Sequence, residues 1–154
     1  MAMLCLCLLF SSCGKMSVTD PSVSSPSSIE GLYEISCRGF DFTARVRAEY
    51  GELEMTLVAP ANIAGYKISC SDNEYIFDMF GVTSVRRVED SPSSSLPSML
   101  YPVIRSLISG SGKHRMNGST HEYETGLATA VLDDSGILSF SDSSGAVKAV
   151  RVET

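Results

Sequence analysis

The sequence predicts an α+β domain, a mainly antiparallel sheet with one helix packed on its dry face. Apolar residues recur at every second position along most of the chain body, as half-buried strands require. One mid-chain segment switches instead to helical spacing. Clusters of Gly, Pro, Asn, Asp and Ser separate the strands and turn them back on one another.

Tyr33, Ile35 and Cys37 share the apolar parity of an early strand. Phe40, Phe42, Ala44, Val46 and Ala48 then face one side, against Asp41, Thr43, Arg45, Arg47 and Glu49 on the other. Tyr50-Gly51 turns the chain, and Leu53, Met55, Leu57 and Ala59 alternate with Glu52, Glu54 and Thr56. This is a long hairpin with one wet and one dry face. The breakers of 60–65 end it, and strands are expected at 66–71, 74–80 and 82–88. Segment 91–98 holds five serines and two prolines. It introduces the predicted helix over 98–109, where Met99, Leu100, Val103, Ile104, Leu107 and Ile108 fall on one side. Ser98 is the expected N-cap, Pro102 lies in the first turn, and Gly110 ends the helix. Residues 111–118 read as a looser stretch. Strands resume at 120–125 and 127–132, Asp133-Asp134-Ser135-Gly136 forms a turn, and 137–141 with 146–153 closes the chain as a hairpin. The total is about nine strands.

The formal net charge is −6, with no block of like charge. Nucleic acid and anionic lipid head groups are therefore not expected partners. No catalytic constellation emerges. The serines stand in no nucleophile elbow, and Gly110-Ser111-Gly112-Lys113 lacks the spacing and preceding strand of a phosphate loop. Asp133, Asp134 and Asp142 are explained as turn formers. His114 and His121 flank a Gly/Asn turn with Glu122 and Glu124 close behind. Zinc sites favour tighter spacings, so exposed loop histidines are the expectation, with no metal and no cofactor. The protein is not expected to be an enzyme.

At the N-terminus, Met1 to Phe10 is an uncharged apolar run, MAMLCLCLLF. It is shorter than the roughly 20 residues of a spanning helix but long enough for the core of a signal peptide. Ser11-Ser12-Cys13-Gly14 follows, two small residues before a cysteine. The segment resembles the lipobox of bacterial lipoproteins, although Phe10 stands where an aliphatic residue is usual. No Lys or Arg precedes the run, as expected if the true start lies upstream. The resemblance implies a signal over 1–12 and a lipidated Cys13 as the first mature residue. Residues 13–28 then read as a tether: 17–28 contains six serines, two prolines and a single charge, Asp20, too little apolar surface to offset the entropy of ordering. The implied location is the extracytoplasmic face of a bacterial membrane, held by the lipid anchor. Cys37 and Cys70 remain in the domain, residues 29–154. Such a pair permits a disulfide and equally describes two buried thiols.

The order of elements in the domain resembles the LolA-like lipoprotein-carrier superfamily. The resemblance rests on the hairpin running into Leu57-Val58-Ala59-Pro60 with Gly65 and Tyr66-Lys67-Ile68 after it. It rests also on the Ser/Pro loop with its apolar helix, and on the terminal Ala130-Val131-Leu132-Asp133-Asp134-Ser135-Gly136 turn. It implies a strongly curved sheet, an incomplete barrel, with the helix on its concave face and an apolar ligand, a lipid or acyl chain, held between them. The expected lining from the first strands is Phe40, Phe42, Val46, Leu53, Met55 and Leu57. Tyr66, Ile68, Tyr75, Phe77 and Met79 continue it, and Leu100, Ile104 and Leu107 face it from the helix. The same residues describe an ordinary filled core, which would leave a structural or interaction lipoprotein whose protein partner the sequence does not name.

If Cys13 is the lipidation site, the intact mass of the protein from its host will correspond to a chain beginning at Cys13 plus acyl chains. Cys13→Ala will retain residues 1–12 and carry no acyl mass.

Overall fold

The computed structural model describes residues 26–110 and 112–152. The expected signal, Cys13 and most of the tether lie outside the described residues. Among the described residues, no helix is long and apolar enough to cross a membrane.

The chain forms one open antiparallel sheet of 11 strands and one α-helix. Six strands come first: β1 (Ser28–Cys37), β2 (Phe40–Glu49), β3 (Glu52–Ala59), β4 (Lys67–Cys70), β5 (Glu74–Met79) and β6 (Val82–Arg87). A short 3-10 turn, Val88–Asp90, leads to the helix α1 (Leu96–Ile108). Five strands complete the chain: β7 (Lys113–Asn117), β8 (Thr120–Glu124), β9 (Ala128–Asp133), β10 (Gly136–Asp142) and β11 (Val147–Arg151). The spatial order is β6-β5-β4-β3-β2-β1-β11-β10-β9-β8-β7. Two meanders are thus joined where the first strand pairs with the last, and β6 and β7 are the free edges.

The hairpins follow from local chemistry. Arg38-Gly39, Tyr50-Gly51 and Phe80-Gly81 each hold two consecutive positive φ angles. Two such residues give the tight reversal whose twist matches the flanking strands, and glycine supplies the second at no steric cost. The expected hairpin register appears unbroken from Glu49↔Glu52 to Ala44↔Leu57, and a bulge follows at Thr43.

Two expectations are corrected. Residues 113–117, expected to be a looser stretch, form β7. This edge strand buries neither face fully, so it shows no apolar alternation. It is matched to β8 through Lys113↔Glu124 and Arg115↔Glu122, opposite charges directly across the ladder. The helix begins earlier than expected, with Ser95 as its N-cap, its hydroxyl accepting from the Ser98 N–H at 3.4 Å. Pro97 occupies the first turn, where a missing N–H is harmless, and Pro102 lies inside the helix.

The core is continuous. Buried residues of α1, among them Leu100, Val103, Ile104 and Leu107, join those of β1–β5 and β8–β11 in one cluster. Tyr33 sits at its centre. Its hydroxyl donates to the Ile137 carbonyl at 2.8 Å, and its ring lies 5.6 Å from that of Phe140. Leu107 is fully buried in this cluster. Leu107→Ala should cost about 2–5 kcal/mol of unfolding free energy, read as a lower urea midpoint at unchanged slope.

Cys37 and Cys70 are free thiols, both buried. Sheet order explains why no disulfide joins them. β1 and β4 are separated by β2 and β3, which is about 14 Å across the sheet, whereas a disulfide needs α-carbons within about 7 Å. Cys70 is also level with Ile29, at the other end of β1, through Leu53 and Ala48. Cys37 instead directs its Sγ to the Met99 Sδ at 3.9 Å. Burial pushes both thiols above their ordinary pKa, that of Cys70 to about 12. Neither should therefore be alkylated by iodoacetamide at pH 8.5 in the native protein, and both should react after unfolding in guanidinium.

Candidate functional site

The apolar face divides into a covered centre and an uncovered end. At the centre, Phe42, Val46, Leu53, Met55, Leu57, Ile68 and Tyr75 from the sheet meet Leu100, Ile104 and Leu107 from α1, all buried in the same cluster. These ten expected lining residues are brought together and fill the space between sheet and helix. Tyr66 and Phe77 are partly buried against the cluster. Phe40 and Met79 are 49% and 43% exposed. Phe40 lies directly after the β1–β2 turn and stacks on Phe42 at 5.6 Å, whereas Met79 ends β5 at the far side of the sheet. Both share the strand parity of the buried residues beside them. Parity carries no information about how far the helix extends.

The exposed apolar surface concentrates on the β5–β6 hairpin. Phe80 is 74% exposed and Val82 66%. Met79 pairs with Val82, and Phe77 with Ser84, so Phe77, Met79 and Val82 continue the dry face. Phe80 takes φ +55 in the turn, a conformation that suits Asn or Gly and not a large aromatic ring. Its ring packs edge-on against Tyr66 at 5.3 Å and lies against Gly65.

A polar clamp fixes α1 to the strand ends. Arg105 pairs with Asp72 in the β4–β5 turn, Nη1 to Oδ1 at 2.6 Å. The Tyr101 hydroxyl lies 2.9 Å from that same Oδ1 and against the Gly51 carbonyl, and has one proton to donate between them. Burial, then the hydrogen bond and negative charge of Asp72, push the Tyr101 pKa well above the usual phenol value; Arg105 opposes this. The phenol is therefore a neutral donor at any physiological pH. Beside the clamp runs a groove of ≈ 410 Å³ whose walls include Tyr75, Tyr101, Pro102, Arg105 and Leu127. On the opposite, wet face lies a shallow groove of ≈ 560 Å³ over β11, β1, β2 and β3, bordered by Glu34, Asp41 and Lys148.

His114 and His121, expected as loop histidines, stand on paired strands with ring centres 6.2 Å apart. Glu122 and Glu124 point to the other face, in register with Arg115 and Lys113.

No family model matches the chain, and no curated protein matches it. Among solved structures it is similar to an uncharacterized conserved protein from Thermus thermophilus. That likeness has 10% identity and a TM-score of 0.41, and covers 81% of this chain and 78% of the other. It is also similar to the LolA superfamily protein NE2245 from Nitrosomonas europaea, at 10% identity and a TM-score of 0.39, covering 84% of this chain and 87% of that one.

Proposed function

We propose that the protein is a non-enzymatic lipoprotein of a bacterial envelope, held on the extracytoplasmic face by a lipidated Cys13. Its domain binds an apolar ligand, an acyl chain or lipid, that enters at the β5–β6 end of the dry face and runs toward α1. The observation that carries this is the apolar hairpin tip: Met79, Phe80 and Val82 extend the dry face into solvent, with a strained aromatic at the apex. Water contact at such a surface is costly, and each acyl CH₂ buried against it contributes about 0.8 kcal/mol. Strained residues persist where function selects them.

The helix supports a sheet that curves around its ligand. α1 packs against both β4 and β9. Six strand spacings separate these, about 29 Å along a flat sheet, against about 20 Å for the length of the helix. Curvature brings both strands within reach of one short helix and makes its side of the sheet concave.

The filled centre favours a second reading, an interaction lipoprotein that uses the same exposed surface to hold a protein partner. With the sheet–helix space already occupied by side chains, no ligand is needed to complete the fold. Native mass spectrometry of the mature protein released from its own membrane separates the two. A lipid-sized, non-covalent adduct is expected, and it should disappear in Met79→Ser/Val82→Ser. Because both side chains are exposed, the variant's melting temperature should change by no more than about 2 °C. A bare mass that stays bare after incubation with the host's lipids would leave the interaction lipoprotein.

A further inference from the structure

The far edge of the sheet carries a second group of side chains, chemically unlike the apolar tip. Met116 of β7 pairs directly with His121 of β8, and His114 with Tyr123. All four therefore point to one face. The His114 ring lies 4.8 Å from the Tyr123 ring and 6.2 Å from that of His121. Both ring nitrogens of His114 are out of solvent with no hydrogen-bond partner among the described residues. Buried polar atoms are almost always paired, and an orphaned imidazole is one that a ligand on its nitrogens would satisfy. The backbone is fitted to this arrangement: a Cβ at Gly112 would lie 2.6 Å from the Tyr123 ring and 2.7 Å from the Glu124 carbonyl oxygen.

The spacing suits a shared ion. Two imidazoles that bind one metal through nitrogen at about 2.0–2.1 Å place their ring centres about 5–6.5 Å apart. The donor set selects which ion. Among the described residues, no three His, Cys, Asp or Glu side chains are grouped to hold a metal. Only the Met116 thioether completes the pair of imidazoles. Two neutral nitrogens and a neutral, polarisable sulfur supply no negative charge, which suits a soft monovalent cation and disfavours zinc, magnesium and calcium. An ion would approach from the side of Met116, which is 65% exposed on the edge strand, and the His114 ring must turn to meet it, since its nitrogens are covered.

We propose that His114, Met116 and His121 form a binding site for Cu(I). The site is independent of the apolar ligand, because it lies at the opposite edge of the sheet from the β5–β6 hairpin.

The test uses the full-length protein with ¹³C-labelled methionine methyl groups, titrated with Ag(I) as a redox-inert stand-in for Cu(I). Thiols elsewhere in the chain also take silver, but the Met116 methyl reports on this hairpin alone. Its resonance should move together with the His114 and His121 ring signals and saturate with one equivalent beyond the silver that the thiols take. Zn(II) should move neither the methyl nor the two ring signals. In competition with bicinchoninate, Met116→Leu should weaken the Cu(I) affinity at this site about tenfold or more, with the far-ultraviolet circular dichroism unchanged. A Met116 methyl still unmoved after the cysteines are saturated would overturn the proposal, as would a Met116→Leu protein with its thiols alkylated that holds Cu(I) as tightly as its equally alkylated parent. Zinc shifting the histidines without the methionine would also overturn it, in favour of an imidazole site for a borderline metal.

Discussion

The pairing of β1 with β11 turns this chain into one domain. Each hairpin elsewhere joins neighbours in sequence, so without that ladder β1–β6 and β7–β11 would be two separate meanders. Tyr33 reinforces the seam. Its hydroxyl crosses over β11 to reach the Ile137 carbonyl on β10, a contact between residues 104 apart in sequence. Closing so long a loop carries an entropic cost that no local turn shares. It is offset by what the seam assembles: α1 packs over it, touching β1, β2 and β9. The helix, the core and the positions of both free edges depend on it.

The parts legible in sequence are those set by local rules. Period-two alternation identified β2, β3 and their faces, and the residue-glycine pairs at 38–39, 50–51 and 80–81 sit in tight turns because glycine there relieves a positive φ. Local rules say nothing about which distant strands meet. Cys37 and Cys70 both had buried parity, but their separation was set by two intervening strands and by opposite ends of the register. β7 was illegible because an edge strand need not alternate. Apolar spacing put the N-cap at Ser98, whereas the helix starts at Leu96 under Ser95, since a proline such as Pro97 is most at home in a first turn with its cap just upstream. The candidate lining was legible as a face and not as a cavity. Parity gives direction, whereas the filling of the centre depends on side chains from α1 meeting those of strands far away in sequence.

The geometry that follows is a wide sheet under a narrow helix. α1 covers the middle strands and leaves the β5–β6 and β7–β8 hairpins projecting on either side. The two projections differ in chemistry. One is apolar, with Met79, Phe80 and Val82; the other has His114, Met116 and His121. With the centre occupied by buried side chains, the uncovered surface lies at these margins and in the grooves beside the helix and on the wet face.

An open sheet with two unpaired edges invites edge-to-edge assembly, and the charges on this one oppose it. The whole chain is acidic, with a net charge of −6, yet β6 carries Arg86 and Arg87 and β7 carries Lys113 and Arg115. Adding β6 of one copy to β7 of another would bring these cations side by side. Antiparallel pairing of β7 with β7 about its middle residue would set Arg115 against Arg115. Charged edge residues are a common protection against such pairing, since like charges repel directly across a ladder. Within the fold three of these four cations face acids: Arg87 faces Glu74, Lys113 faces Glu124 and Arg115 faces Glu122. The same side chains therefore support pairing inward, where acids meet them, and resist it outward, where only another basic edge would. That asymmetry opposes edge-to-edge pairing at both ends of the open sheet.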